Sequence, residues 1–421
     1  MTSVADFNPL APETLECPFP FYEALHKEAP VYEVPGLPFI IVSNYELLSE
    51  VVHDPHTYSS KTVTAFSVEP PPTDDPELQK FREESRKRAK ETPDTLLSAD
   101  PPHHARYRAL VNKALSARRV AGMEDYCREV VTEIIDSFID DGKVDLVKQF
   151  ADELPMSVIA DQIGIPRTEL KEYKKRADLA IGGIEHKVPP ELEKKTFIAG
   201  REMNQFFLSV AEERRQNPKD DIMTTLATAE VETDDEPRRL TDNEILSILS
   251  QLQVAGKETT AHCLGMTMLA LLENPEQMEA LQNDPSLIPN MVEESLRFET
   301  PVRALFRIAT KDTELGGQTI AKGQNLMLIY AAANRDNEQF PEAEKFDVCR
   351  ENSRSQMAFS AGPHYCVGSA LARLEIRVAY EELLSRLKNI RRDPDYPEEP
   401  THTPSFILRG LSDLHLLFDK A

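Results

Sequence analysis

A mainly α fold with small β-sheets is predicted by three features of the sequence. Apolar residues recur at helical spacing through the middle and the C-terminal third. One such run, from Ile245 to Asn274, is too long for a strand and stops only at Pro275. Runs rich in β-branched and aromatic residues are short and bounded by turn signals.

The elements follow in chain order. Val31 to Val42 reads as two short strands about Pro35-Gly36. Ser60 to Leu97 reads as a long excursion: Pro70-Pro71-Pro72, then the charged run EESRKRAKE, with a short helix inside it. Long structured loops of this kind are often functional. Thr241-Asp242-Asn243-Glu244 is a capping box. It opens the long run, which as a helix spans roughly 45–50 Å at 1.5 Å per residue. Apolar residues surround much of that helix, so it is expected to be central and buried. A Gly in its interior, Gly256, followed by an acid and hydroxyls, is expected to break the hydrogen-bond ladder locally. A helix from about Pro289 to Phe298 ends before Pro301. Strand-like segments at Thr313–Leu315 and Leu326–Tyr330 are separated by Gly316-Gly317 and Lys322-Gly323. A last helix begins near Cys366, and SFILRGLSDLHLLF reads as strand, turn and strand. No internal repeat occurs, and length alone suggests two or three domains at about 150 residues each.

Composition excludes several classes of function. A net charge of −24 repels phosphate backbones, so nucleic acid is not an expected partner. No apolar run reaches the roughly 18 residues of a membrane span. MTSVADFNPL lacks the basic start and apolar core of a signal peptide. The five cysteines, Cys17, Cys127, Cys263, Cys349 and Cys366, are odd in number and form no CxxC pair. That argues against a disulfide framework or a zinc ribbon and fits a reducing cytoplasm, each cysteine being by default a small buried hydrophobe.

Four groups of residues stand out chemically. In FSAGPHYCVG, Phe359 to Gly368, two glycines bracket Cys366 and a helix starts at or just after it. Glycines allow close backbone approach to a flat cofactor. A helix N-terminus favours a thiolate, the form that ligates iron. The same ten residues also fit a structural cysteine. In the long helix, Ala255-Gly256-Lys257-Glu258-Thr259-Thr260 offers a groove and groups that pass protons, or equally a tolerated Gly and a solvated Glu. Glu294 and Arg297 share a helix face within an apolar pattern, which suggests a buried pair in need of further hydrogen bonds. In DPPHHARYR, His104 and Arg108 share a face, with Pro101 and Pro102 fitting the first turn and His103 turned elsewhere. Arg307 at a strand-like site and His364 beside Cys366 are further donors.

Taken together, these signals resemble the cytochrome P-450 family. FSAGPHYCVG resembles its haem-binding loop, AGKETT its oxygen-binding helix motif, ESLR its ExxR motif and HHARYR its HxxxR. AANRD, NEQFPEAEKFD and RGLSDL add weaker matches, and the likeness runs in order through nearly the whole chain. Two departures stand out. Ser360 replaces a glycine frequent in bacterial members, and Lys345 replaces an Arg that often completes the ExxR network.

The resemblance implies one mainly helical triangular domain over 1–421. It implies haem b (iron protoporphyrin IX) with Cys366 as axial ligand and His104, Arg108, Arg307 and His364 on the propionates. Phe359, Gly368 and Ala255 would lie against the cofactor, and Glu258, Thr259, Gly256 and Thr260 would manage oxygen and protons. The implied activity is O2-dependent insertion of one oxygen atom into a small-to-medium apolar organic substrate, as hydroxylation or oxidative demethylation. The pocket would draw on Ser60 to Leu97, Leu252, Ala255, Val302 to Phe306 and Ser405 to Leu411. Without a GxGxxG or a flavin domain, electrons would come from a ferredoxin served by an NAD(P)H-dependent ferredoxin reductase. An acidic ferredoxin would meet Arg106, Lys113, Arg118, Arg119 and Arg373. A cytoplasmic monomer is expected. A peroxide-using peroxygenase, a haem gas sensor or carrier, and a zinc protein using His364 and Cys366 are the competing readings.

Overall fold

The computed structural model of the chain describes residues 3–61, 72–181, 189–231 and 236–421. Pro70 and Pro71 of the excursion therefore lie outside the described residues. Helices dominate and the sheets are small, as the hydrophobic periods predict. Two compact units can be distinguished. One comprises Met1–Thr62, Ala117–Pro155 and Gly256–Ala421; the other comprises Val63–Ser116 and Met156–Ala255.

The first unit is built on a five-stranded sheet in the order Val31–Glu33, Phe39–Val42, Asn325–Ile329, Ala304–Ala309, Tyr58–Ser59. The two expected N-terminal strands pair antiparallel, Val31 opposite Val42, through a turn in which Gly36 has φ +79°. Phe39–Val42 then runs parallel to Asn325–Ile329. All four of its residues are buried, as in a strand covered on both faces. Leu326, Leu328 and Tyr330 pack with Val42, Val51 and Val52 into one cluster.

A second sheet joins Leu387–Arg392, His415–Lys420 and Lys143–Asp145. The strand expected over SFILRG does not form. Only isolated bridges occur there, Val302 to Leu408 and His402 to Leu411. Its backbone groups are taken by an irregular neighbour instead: Arg303 N–H donates to the Ile407 carbonyl (2.6 Å) and Arg409 N–H to the Pro301 carbonyl (2.8 Å).

In the second unit the excursion holds a sixteen-residue helix, Pro76–Glu91, longer than the short one expected. Asp75 caps it by accepting from Glu77 and Leu78 N–H. Its charges are not merely solvated, since Arg82 forms a bidentate pair with Glu193 (2.7 and 2.8 Å) and Phe81 stacks on Phe197. The returning segment is stitched to the long helix by Thr95 with Ser247 (2.9 Å) and by Leu97 N–H to Gln251 (2.8 Å).

The long helix spans Asp242–Glu273, thirty-two residues or about 48 Å. The capping box forms as read: Thr241 N–H donates to the Glu244 carboxylate (2.7 Å), and Glu244 N–H to the Thr241 hydroxyl (3.3 Å). The break expected near Gly256 is absent, and the helix is continuous throughout. One interior glycine costs about 1 kcal/mol, too little to interrupt a helix held by buried residues such as Ile248, Leu249, Leu264 and Leu271 on either side.

Candidate active site

The loop Phe359–Gly368 is fixed at several points in the first unit. Gly362 has φ +64°, and any Cβ there would collide with the Val52 carbonyl, so the position admits only glycine. Phe359 lies under the Arg373 guanidinium, 4.5 Å from its ring centre, and Arg373 is held by Glu293 (2.5 and 3.0 Å). Cys366 N–H donates to the Phe359 carbonyl (2.9 Å), closing the loop on itself. The helix behind it, Ser369–Arg386, begins three residues after Cys366 with Gly368 as its cap. Cys366 Sγ lies 4.0 Å from where a Gly368 Cβ would stand. The thiol is half-buried. Cys127 and Cys263 are buried as the default reading has it, burial pushing the Cys263 thiol up to about 12. Cys17 and Cys349 are exposed instead.

Two expected donors, Arg307 and His364, lie in this unit. Tyr58–Ser59 pairs antiparallel with Ala309 and Ile308. Just past that strand, the Ser60 hydroxyl shares a hydrogen bond with His364 Nε2 (3.0 Å). Arg307 is buried and donates to the Phe306 carbonyl (2.7 Å). On the long helix, Gly256, Glu258 and Thr259 are half-buried and Thr260 is buried. Ala255 is exposed and shares a face with Thr259, four residues on. In the second unit, the helix His103–Ala114 starts just after Pro102, so the two prolines precede it and do not form its first turn. His104 is buried, His103 is exposed as read, and Arg108 Nε donates to Asn112 (2.9 Å). Burial, with the Arg108 charge beside it, lowers the His104 pKa, against a smaller raising effect of Asp100.

The chain was compared with known proteins. A cytochrome P450 family profile matches residues 174–415. Cytochrome P450 107B1 of Saccharopolyspora erythraea is 33% identical over 395 residues, covering 92% of each chain. A steroid C26-monooxygenase of Mycobacterium tuberculosis is 34% identical over 77% of this chain and 85% of its own length. The solved structure of cytochrome P450 CYP109Q5 from Chondromyces apiculatus superposes with a TM-score of 0.86 at 31% identity, covering 99% of both chains. This chain belongs to the cytochrome P450 family. It is an oxidoreductase of the haem monooxygenase class.

The P450's residues fit a haem. Among the described residues, no three His, Cys, Asp or Glu side chains group closely enough to hold a metal ion. A lone half-buried cysteine at a helix start suits a metal whose other ligands come from a macrocycle, and the zinc reading has no such ligand set to draw on. Also among the described residues, no helix is long and apolar enough to cross a membrane.

The P450 also supplies what the sequence left open behind the site. Glu294 and Arg297 have no exposure and form a bidentate pair (2.8 and 2.8 Å). The third member is Arg350, whose Nε lies 3.2 Å from Glu294. Lys345 contributes its carbonyl, which accepts from both Arg297 (3.0 Å) and Arg350 (2.9 Å). No periodic signal marks Arg350, because its other partners, the carbonyls of Pro341 and Glu342, belong to irregular backbone. Arg373, read as a docking charge, is engaged by Glu293 and by the Tyr365 hydroxyl (3.1 Å). Gly410 in RGLSDL was also missed as a contact: a Cβ there would strike the His262 ring. Burial, with Lys257 nearby, lowers the His262 pKa to about 4, so its imidazole is neutral at pH 7.

Proposed function

We propose that the chain is one O2-dependent haem-thiolate domain that inserts an oxygen atom into a small-to-medium apolar organic substrate, by hydroxylation or oxidative demethylation. The observation that carries this is the half-buried Cys366, held in a glycine-bracketed loop at the start of an eighteen-residue helix. Haem b would be the cofactor, held by the Cys366 sulfur. Held by a thiolate, that group would supply the chemistry of O–O cleavage. Arg307, buried on its strand, and His364, tied to Ser60, would supply donors to the propionates. His104 and Arg108 keep the propionate role that the resemblance implies, and Phe359, Gly368 and Ala255 the role of contacts to the ring.

Thr259 both accepts and donates a hydrogen bond, and Glu258 passes protons to it from solvent. Gly256 leaves room beside them, and Thr260, being buried, is the less direct of the two hydroxyls. Similarity to the steroid C26-monooxygenase supports an apolar substrate of that order of size. Electrons come from a ferredoxin-type donor and an NAD(P)H-dependent reductase, in the cytoplasm, to a monomer.

The test begins with the reduced-CO spectrum of the parent and of Cys366→Ser. Loss of the thiolate-type band and of all oxygenation in the variant is expected; a retained band would make another group the ligand. NADH-driven turnover with a ferredoxin pair, compared with turnover driven by added peroxide, then separates this reading from a peroxygenase. A protein with neither turnover would be a carrier or sensor.

A further inference from the structure

We infer that Ser360 and Tyr330 form a hydroxyl pair that positions the Cys366 thiolate; this rests on Cys366 being the axial ligand. Ser360 has φ +58°, a left-handed conformation that an L side chain adopts at a cost and glycine adopts freely. A residue with a side chain is nonetheless present, and that side chain is used: its hydroxyl lies 3.1 Å from the Tyr330 hydroxyl. Tyr330 is 1% exposed and directly follows the central strand Asn325–Ile329. It packs among Val52, Leu328 and Met357, with Ala361 of the loop against the same cluster. The pair therefore ties the loop to a close-packed apolar cluster of the first unit.

The position of the tie gives it its effect. Ser360 follows Phe359, and the Phe359 carbonyl accepts the Cys366 N–H (2.9 Å). Two residues later Gly362 rests on the Val52 carbonyl. A shift at residue 360 therefore moves the acceptor that sets the backbone of Cys366. With the hydroxyl pair intact, the stretch between Phe359 and Cys366 is tied at two points, Ser360 to Tyr330 and Gly362 against the Val52 carbonyl. With glycine at 360 one of these is lost, although the backbone itself is more comfortable. Local strain and ligand placement are thus separable at this residue, which a merely structural hydrogen bond would not provide.

The test compares the holoenzyme with Ser360→Gly, Tyr330→Phe and the double variant. The reading is the rate at which the reduced-CO complex loses its thiolate-ligated band in mild denaturant, with total haem measured alongside. Each single change is expected to speed the loss about fivefold, the factor that one ordinary hydrogen bond contributes. The double variant is expected to be no faster than either single one, and haem content to be unchanged. Ser360→Gly should also unfold no earlier than the parent on heating, because relief of the left-handed strain offsets the lost bond. Rates equal to the parent, or effects that multiply in the double variant, overturn the pair. Cys366→Ser is run beside them: if it keeps the band, the ligand assignment fails first, and the pair's role falls with it.

Discussion

Replacing Arg350 with Met tests the network behind the site most sharply. The change removes one charge-assisted bond to Glu294 (3.2 Å) and the donors to the Pro341 (2.7 Å) and Glu342 (3.0 Å) carbonyls. Glu294 keeps its bidentate Arg297 and the Asp347 N–H (2.9 Å), and the Lys345 carbonyl keeps Arg297. The loss is thus partial: about 1.5–3 kcal/mol for the charged bond and about 1 kcal/mol for the Pro341 carbonyl left without a donor, the Glu342 carbonyl keeping the Lys345 N–H (2.9 Å), partly offset by the apolar replacement, or about 2–3 kcal/mol net. At about 2.1 cal/mol/K per residue, 421 residues give an unfolding entropy near 0.9 kcal/mol/K, so Tm should fall by about 2–3 °C. The assay is thermal unfolding of the holoenzyme followed by circular dichroism, run for Arg350→Met, Glu294→Gln and both together. Groups in one network should be coupled by at least about 1 kcal/mol. A Tm within about 1 °C of the parent, or strictly additive losses, would refute Arg350 as the third member.

Three further outcomes are expected. Thr259→Ala should leave haem content and first reduction intact but lower product per NADH and release peroxide; a parent-like product yield would shift attention to Thr260. Glu375 is 3% exposed, its Oε2 has no hydrogen-bond partner among the described residues, and burial pushes its carboxyl up to about 8 from 4.5. The folded acid therefore holds a proton that the unfolded chain has lost between those values, so stability falls as pH rises through that window. Glu375→Gln should raise Tm by about 3 °C at pH 8 and hardly at all at pH 5; parallel pH profiles for the two proteins would count against it. A groove of about 400 Å³ is lined by Ala117, Val120, Val292, Arg354 and Leu374 among others, and Arg118 follows Ala117. Arg118 and Arg354 are exposed, so Arg118→Glu with Arg354→Glu should slow reduction by an acidic ferredoxin on the order of fivefold at low salt and hardly at all near about 0.5 M. Reduction indifferent to both charge and salt would remove this surface from the electron path.

The elements read best from sequence were those whose signal is local. The capping box at Thr241 and Glu244 formed as written, because its donors and acceptors lie three residues apart. The hairpin at Val31 to Val42 formed because its turn residues and its buried faces agree. The Gly256 break failed because a propensity of about 1 kcal/mol yields to packing along thirty-two residues. The strand at SFILRG failed because its partners are Pro301 and Arg303, which no local pattern announces.

By itself the sequence determined that this is a mainly helical P450, with Cys366 set apart from four other cysteines by the glycines around it and the helix after it. Its motifs are short, and their chemistry is written in neighbouring residues. Only the tertiary structure decided which distant groups meet: Arg350 with Glu294, Ser60 with His364, Arg373 with Glu293 and Ser360 with Tyr330. Their separations, 56, 304, 80 and 30 residues, lie far outside any helical or strand period. Such contacts form only when packing of the apolar core brings the chain segments together, and buried polar groups then take whichever partner that packing leaves within reach.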